Sequence, residues 1–430
     1  MKVLVISVRG LHLGYLGCYG NSWIETPAID GLAAEGIVFD QHFATNPEPS
    51  AARRSWRTGR WHLPALTPQS SETPAVEADL LALLRQAKVA THLIVDGSRD
   101  APPGFDHGWD QVVVVPPRAE ETPLEQTLSA AVHVMSELLS KNNWLVWVDL
   151  ATLVPPWDVP EEYVSPYFEA DSIADEVEDV DEEDEDDAGV QDIVPEPAAP
   201  SEPMEPFFDP QPGRVARDDG ETLDRLQYSY ASAVTFLDAG LDALVEEIGN
   251  LGLGDEIVFL LTSDHGFPLG EHGVIGLYRP WLHDELIHLP LLLSLPHGND
   301  AGRRVAALTQ SCDLLPTLLE LFGVPVPAEV QGESLLPLAR GETQQSRPHA
   351  VIGVELGDGL EFALRTPEWS LDLPLRTPEH DPPRSTQLYA KPEDRWEVNN
   401  LLQHHLDLAD ELERKLREHI AAANQPARVE

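Results

Sequence analysis

The chain has 430 residues, 74 of them acidic against 28 basic, for a formal net charge of −46. That balance argues against a broad basic face for nucleic acid, and two cysteines, Cys18 and Cys312, provide neither a disulfide framework nor a zinc cluster. No apolar run approaches the roughly 20 residues needed to cross a bilayer, so no membrane span is predicted. The chain opens directly on MKVLVISV, which reads as a first strand rather than a secretory leader. A cytoplasmic location is the expectation.

In chain order, KVLVIS predicts a buried strand, PAIDGLAAEG an amphipathic helix, ADLLALLRQAK a second helix, THLIVD a strand, and NWLVWVDL another strand. Such alternation implies βαβ units and a mostly parallel sheet. From residue 161 to 222 the pattern breaks into an insert rich in Pro, Asp and Glu, with DEEDEDD at its peak. Few large apolar residues follow Phe168, so this insert is expected to be disordered, unable to bury enough surface to offset its ordering entropy. The pattern resumes with LQYSYASAVTFLDAGLDALVEEIGNLG, a helix ending at Gly252, and EIVFLLTSDHG, a buried strand running into a loop. Beyond about residue 345, HAVIGVEL and EFALRT read as short strands and DLADELERKLREHIAAA as a charged terminal helix. The predicted organisation is a body over 1–345, interrupted at 161–222, and a C-terminal unit over 346–430. In open α/β sheets chemistry sits at the carboxyl ends of the strands, where VISVRG and LLTSDHG both deliver polar residues.

The segment NPEPSAARRSWRTGR, residues 46–60, resembles the nucleophile motif of the sulfatases, CxPSRxxLLTGR. Other blocks agree in order: GCYGNSWIETPAIDGLAAEGIVFDQHFA, TSDHGFPLGEHG, QSCDLLPTLLELFGVPVPAEVQGESLLPLARG and STQLYAKPEDRWEVNNL are similar to successive sulfatase blocks. The resemblance covers most of the chain outside the insert. It implies a sulfatase or alkaline phosphatase-like fold: α/β, with a large mixed, mainly parallel sheet flanked by helices and a small C-terminal α+β subdomain. By resemblance the activity would be sulfuric ester hydrolysis.

The same resemblance locates a site, and there the residues depart from the pattern. The nucleophile position is Pro49, whose ring has no group that attacks an ester or ligates a metal, and the motif arginine is Arg53. The two aspartates of the VDDLR motif fall on Arg9 and Gly10. The later metal pair falls on Asp264 and His265. Cations of the sulfate pocket fall on Asp96, Ser98 and Leu277, and the leaving-group histidine falls on Val154. A calcium ion takes about 6–8 oxygen ligands, which Asp264 and His265 cannot supply. The expectation is therefore no cofactor, with Arg9 filling the vacated space and pairing with Asp264, and Asp264 and His265 as vestigial metal residues.

Arg53 and Arg9 are the candidate anion-binding residues, since a guanidinium fork suits sulfate, phosphate or carboxylate; the alternative for Arg53 is a structural salt bridge. Ser50 and Ser55 are the hydroxyls nearest the nucleophile position. Glu271 and His272 are expected to shape their loop, while His12, His42 and His92 read as packed or exposed histidines. WLHDELIH places His283 and His288 near Asp284 and Glu285, where a new site is conceivable. Three functions follow: a pseudoenzyme or scaffold binding a small anion or a protein, a divergent sulfate or phosphate monoester hydrolase using Asp264, His265 and a divalent cation such as calcium, or an interaction module whose acidic insert binds a basic partner.

Overall fold

The computed structural model describes residues 1–66, 78–99, 102–118, 121–169 and 204–423. Its first part comprises β1 (Lys2–Val8), α1 (Pro27–Glu35), β2 (Ile37–Phe43), α2 (Pro49–Thr58), α3 (Leu80–Gln86), β3 (Ala90–Asp96), β4 (Gln111–Val115), α4 (Pro123–Glu137) and β5 (Trp144–Leu150). There follow α5 (Glu161–Phe168), β6 (Gly213–Arg214), α6 (Gly220–Asn250), β7 (Ile257–Ser263), β8 (Val274–Ile275), α7 (Asp284–Ile287), β9 (Leu291–Ser294), β10 (Arg303–Gln310), α8 (Leu314–Leu321) and α9 (Leu336–Ala339). The C-terminal part holds β11 (Ala350–Leu356), β12 (Gly359–Arg365), β13 (Trp369–Arg376), β14 (Gln387–Ala390) and α10 (Leu406–Ala423).

Eight strands form the central sheet in the order β10-β2-β9-β7-β1-β5-β3-β4. Every neighbouring pair is parallel except those of β9, which runs antiparallel to both β2 and β7. The sheet is thus mixed and mainly parallel, as the sequence pattern predicts. Central β1 is apolar from Val3 to Ile6 because both its faces are covered. Leu4, Ile6 and Val8 enter a core shared with α1, α4 and α6, whereas Val3 and Val5 enter one shared with α3, α8 and α9. Long α6 buries Leu226, Tyr230, Val234, Leu237, Leu241, Leu244 and Ile248, a three-to-four spacing that lays one stripe against the sheet. Its first turn is closed by Asp219, which accepts from the Thr222 N–H.

A four-stranded antiparallel sheet, β11-β12-β13-β14, makes the C-terminal unit. Helix α10 covers it through Ala409, Leu412, Leu416 and Ile420, again an i, i+3, i+4 stripe. The insert expected over 161–222 differs from the structure at both edges. Residues 161–168 form α5, where Tyr167 Oη meets Thr235 Oγ1 of α6 at 2.6 Å, and residues 204–219 lead into α6, the Phe207 N–H bonding Ser229 Oγ at 2.8 Å. The aromatic residues there have a helix face to pack on, which composition does not reveal. Residues 170–203, with the acidic peak and its proposed role toward a basic partner, lie outside the described residues. Among the described residues no helix is long and apolar enough to cross a membrane.

Candidate functional site

Strands β1, β5 and β7 lie side by side, with Ser7 opposite Asp149 and Val8 opposite Ser263. Their carboxyl ends therefore bring Arg9, Asp149 and Asp264 to one place in the sheet. Helix α2 supplies the fourth group. It begins at Pro49, whose fixed φ and missing N–H suit the first helical position. One turn on, Arg53 points inward and is only 2% exposed.

The Arg53 guanidinium sits between two carboxylates, with Nη1 2.5 Å from Asp264 Oδ2 and Nη2 2.7 Å from Asp149 Oδ1. Its flat face lies near Trp56 and Phe105, at 5.3 and 5.6 Å from the ring centroids, so it is held by charge at its edge and by aromatic packing. Asp149 also accepts from Ser7 Oγ at 2.7 Å and, on Oδ2, from Arg9 Nε and Nη2 at 3.1 and 2.8 Å. Both aspartates are at most 1% exposed. Burial alone would raise the Asp264 pKa, but the charges and hydrogen bonds of His265 and Arg53 prevail and hold it well below the usual carboxylate range. Burial likewise disfavours the Arg53 cation, and Asp149 and Asp264 reverse that effect, leaving it more strongly protonated than a free arginine.

The expected partner of Asp264 was Arg9; the structure gives it Arg53 instead. Arg9 turns toward β5, where its N–H bonds Leu150 O at 2.9 Å and its side chain reaches Asp149. The parallel register is the physical reason, because it sets Asp149 beside the end of β1. Asp149 was missed by sequence reasoning. Its signal is a lone carboxylate in the otherwise apolar run WLVWVDL, a burial that requires a partner.

The N-terminus of α2 carries its own acid. Glu48 accepts from the Ser50 and Ala51 N–H groups at 3.1 and 2.8 Å, occupying donors that would otherwise suit an external anion. Beside this helix opens a cleft of about 650 Å³, lined among others by Glu48, Ser50, Arg54, Arg57, His62 and His107. Ser50 borders it, whereas Ser55 is fully buried with Oγ 2.7 Å from Thr45 Oγ1. Asp96 is buried and accepts from the Ser98 N–H at 2.8 Å. Gly10 has φ +74°, and a Cβ there would meet Val154 Cγ1 at 3.2 Å, so a larger residue at position 10 would be strained. Leu277 packs against a core of Phe43, Leu282 and Ile287.

The remaining histidines separate. His12 accepts from the Gly14 N–H through Nδ1 and meets Glu271 Oε1 through Nε2 at 3.1 Å. Burial lowers the His42 pKa to about 3, and burial lowers that of His92 as well. His288 stacks on Phe43 and meets Asp40 O at 2.8 Å. His283 instead joins His272, Glu285 and Glu397 in a second buried cluster, so WLHDELIH does not bring its two histidines into one site.

A sulfatase family model matches residues 2–324. The chain belongs to the sulfatase family. It is 26% identical over 414 residues to mouse steryl-sulfatase, an alignment covering 80% of this chain and 65% of that protein. To N-acetylglucosamine-6-O-sulfatase of Bacteroides thetaiotaomicron it is 25% identical over 392 residues, covering 76% and 68%. The chain therefore spans about two thirds of the length of these curated relatives. The crystal structure of a phosphonate monoester hydrolase of Agrobacterium radiobacter superposes with TM-score 0.73 at 19% identity, covering 98% of this chain and 96% of that one. A phosphonate monoester hydrolase from Silicibacter pomeroyi gives 0.66 at 19% identity, covering 99% and 96%. The sulfatase or alkaline phosphatase-like fold inferred from the motifs is the fold of the chain.

Proposed function

We propose that this member of the sulfatase family does not hydrolyse sulfate esters and acts as a binding or scaffold protein, with the Arg53 guanidinium serving as its internal cation. The observation that carries this reading is the position of Arg53 between Asp149 and Asp264. A sulfatase of this fold would hold a divalent ion against the residue equivalent to Asp264. Here that carboxylate is already bonded to a guanidinium, and the position beside it, equivalent to one of the aspartates, is Arg9. The donor set does not fit calcium, which takes about 6–8 oxygen ligands; two carboxylates and His265 already balanced by two arginines offer neither the ligands nor the net negative charge. Pro49, at the start of α2, brings no nucleophile.

Arg53 and Arg9 were the residues suited to an external anion. Both are buried and both engage Asp149; Arg53 borders the cleft beside α2, and a ligand of this protein is better sought in that cleft, where Arg54, Arg57 and His107 stand with Glu48 and Asp79. The test is metal content after dialysis together with turnover of aryl sulfate, aryl phosphate and phosphonate monoester, for the wild type and Asp264→Ala. The proposal expects no bound divalent ion and background turnover in both. Metal-dependent turnover abolished by Asp264→Ala would establish the divergent hydrolase instead.

A further inference from the structure

A second buried ionic cluster joins the loop after β7 to the C-terminal unit. His272 stands at its centre. Its Nδ1 lies 2.8 Å from Glu285 Oε1 and its Nε2 lies 3.3 Å from the backbone oxygen of Glu397. Both ring nitrogens thus face acceptors, and an imidazole satisfies two acceptors only when both nitrogens carry protons. The ring stacks on that of His283, with centroids 4.0 Å apart and planes 13° from parallel. Nδ1 of His283 meets Glu397 Oε2 at 2.7 Å, and its Nε2 faces Arg384 Nη2 at 3.4 Å. His272, His283 and Glu285 bring ligand atoms within 4.8 Å of one another. Two stacked rings nevertheless hold their in-plane lone pairs side by side rather than converging, which does not suit one ion with nitrogen bonds of about 2.0–2.1 Å.

The charges around this pair leave a place for a proton. From the C-terminal unit, Arg365 contacts Asp372, Glu397 and Asp284, Lys391 contacts Asp284 and Glu397, and Arg384 contacts Glu361. Asp372 Oδ2 lies 3.8 Å from His283 Nδ1, Ser370 Oγ donates to Glu397 at 2.8 Å, and the rings of Trp281 and Tyr389 close the sides. The carboxylates of Asp284, Glu285, Glu361, Asp372 and Glu397 outnumber the cations of Arg365, Arg384 and Lys391. A positive charge on His272 reduces that imbalance.

We propose that His272 is a proton-operated clamp: as an imidazolium it bridges Glu285 of its own loop and the Glu397 backbone of the C-terminal unit, and its deprotonation in mildly alkaline solution loosens that bridge. The loop leads back through Glu271, which bonds the Leu269 N–H and faces His12, to Asp264 and His265. Burial would depress the His272 pKa, but the hydrogen bond and charge of Glu285, with Glu397, raise it to about 9. For a histidine with a raised folded pKa, the stabilisation is complete below the ordinary value of 6.5 and is lost as pH rises through about 9.

The test is hydrogen exchange of the full chain from pH 7 to 10, corrected for the intrinsic pH dependence of exchange and read on peptides covering 266–288 and 391–402. The wild type should lose protection by up to about tenfold per pH unit between pH 7 and about 9 and level off above, as expected when the open state has released a single proton that the closed state still holds. His272→Gln, which has no charge to lose, should exchange faster at pH 7 and show no transition near pH 9. Protection in the wild type that is flat to pH 10, or a transition retained in His272→Gln, overturns the proposal. Should that variant fail to fold, the ring resonances of the wild-type histidines decide. Carbon shifts of a neutral His272 ring at pH 7.5 refute the clamp, and those of an imidazolium support it.

Discussion

Replacing Arg53 by methionine keeps most of the side-chain volume and removes only the cation between Asp149 and Asp264. Both carboxylates are at most 1% exposed, so water cannot take over the lost hydrogen bonds without opening the site. Asp149 retains Arg9 and Ser7. Among the described residues, Asp264 retains only its neighbour His265. Removing one partner of a buried ion pair costs about 3–5 kcal/mol, chiefly through the charge left behind. With an unfolding entropy of about 2.1 cal/mol/K per residue, a chain of 430 residues loses on the order of 0.9 kcal/mol per kelvin near its midpoint, so the thermal midpoint should fall by roughly 3–6 °C. The pH dependence has a definite sign. In the wild type Asp264 has a depressed pKa, so its stabilisation is present above the ordinary value of 3.8 and is lost only as pH falls through the depressed one. In Arg53→Met burial acts with less opposition, Asp264 binds its proton more readily, and the deficit relative to wild type should shrink between pH 7 and pH 5. Urea titrations at the two pH values, with scanning calorimetry at pH 7, measure both effects. A loss below about 1 kcal/mol at pH 7, typical of an exposed pair, would refute the reasoning, as would a wild type whose midpoint drops several degrees on adding a chelator.

Further outcomes follow from the same geometry. Pro49→Cys, even after oxidation to an aldehyde, should leave aryl sulfate turnover at background, because Asp264 remains bonded to Arg53; turnover rising with added calcium would contradict this. Gly59→Ala should destabilise by more than the roughly 1 kcal/mol usual for alanine at a left-handed helix end, since Gly59 has φ +65° and its Cβ would meet Val330 Cγ1 at 2.7 Å; a urea midpoint shift corresponding to less than that counts against it. Thr122→Ala removes half of the capping box that Thr122 and Glu125 form at the start of α4 and should cost about 1 kcal/mol, again read by urea titration.

Much of the fold was legible because burial leaves a periodic trace. The apolar runs KVLVIS and EIVFLLTS became the adjacent central strands β1 and β7, and the stripes of α6 and α10 cover the sheets their spacing required. The ordered edges of the insert were not legible, since Tyr167 and Phe207 gain their packing from α6 rather than from their neighbours in sequence. The candidate site was partly legible. Pro49, Arg53, Asp264 and His265 were found from a motif frame, whereas Asp149 and Glu48 lie outside its key positions. The C-terminal acids and bases around Glu397 carried no local pattern at all, because their partners are up to about a hundred residues away in the chain and pairing at such distance leaves no periodic trace.

The sequence by itself determined the family, the alternation of strands and helices, and the identity of residues at the strand ends. Those are consequences of local chemistry: an apolar period, a proline at a helix start, a guanidinium where an aspartate is otherwise found. Which charge meets which was decided by tertiary structure alone. The parallel register of β1, β5 and β7 set Asp149 beside Arg9 and left Asp264 to Arg53, and in a low-dielectric interior a shift of a few ångströms determines the partner of a buried charge.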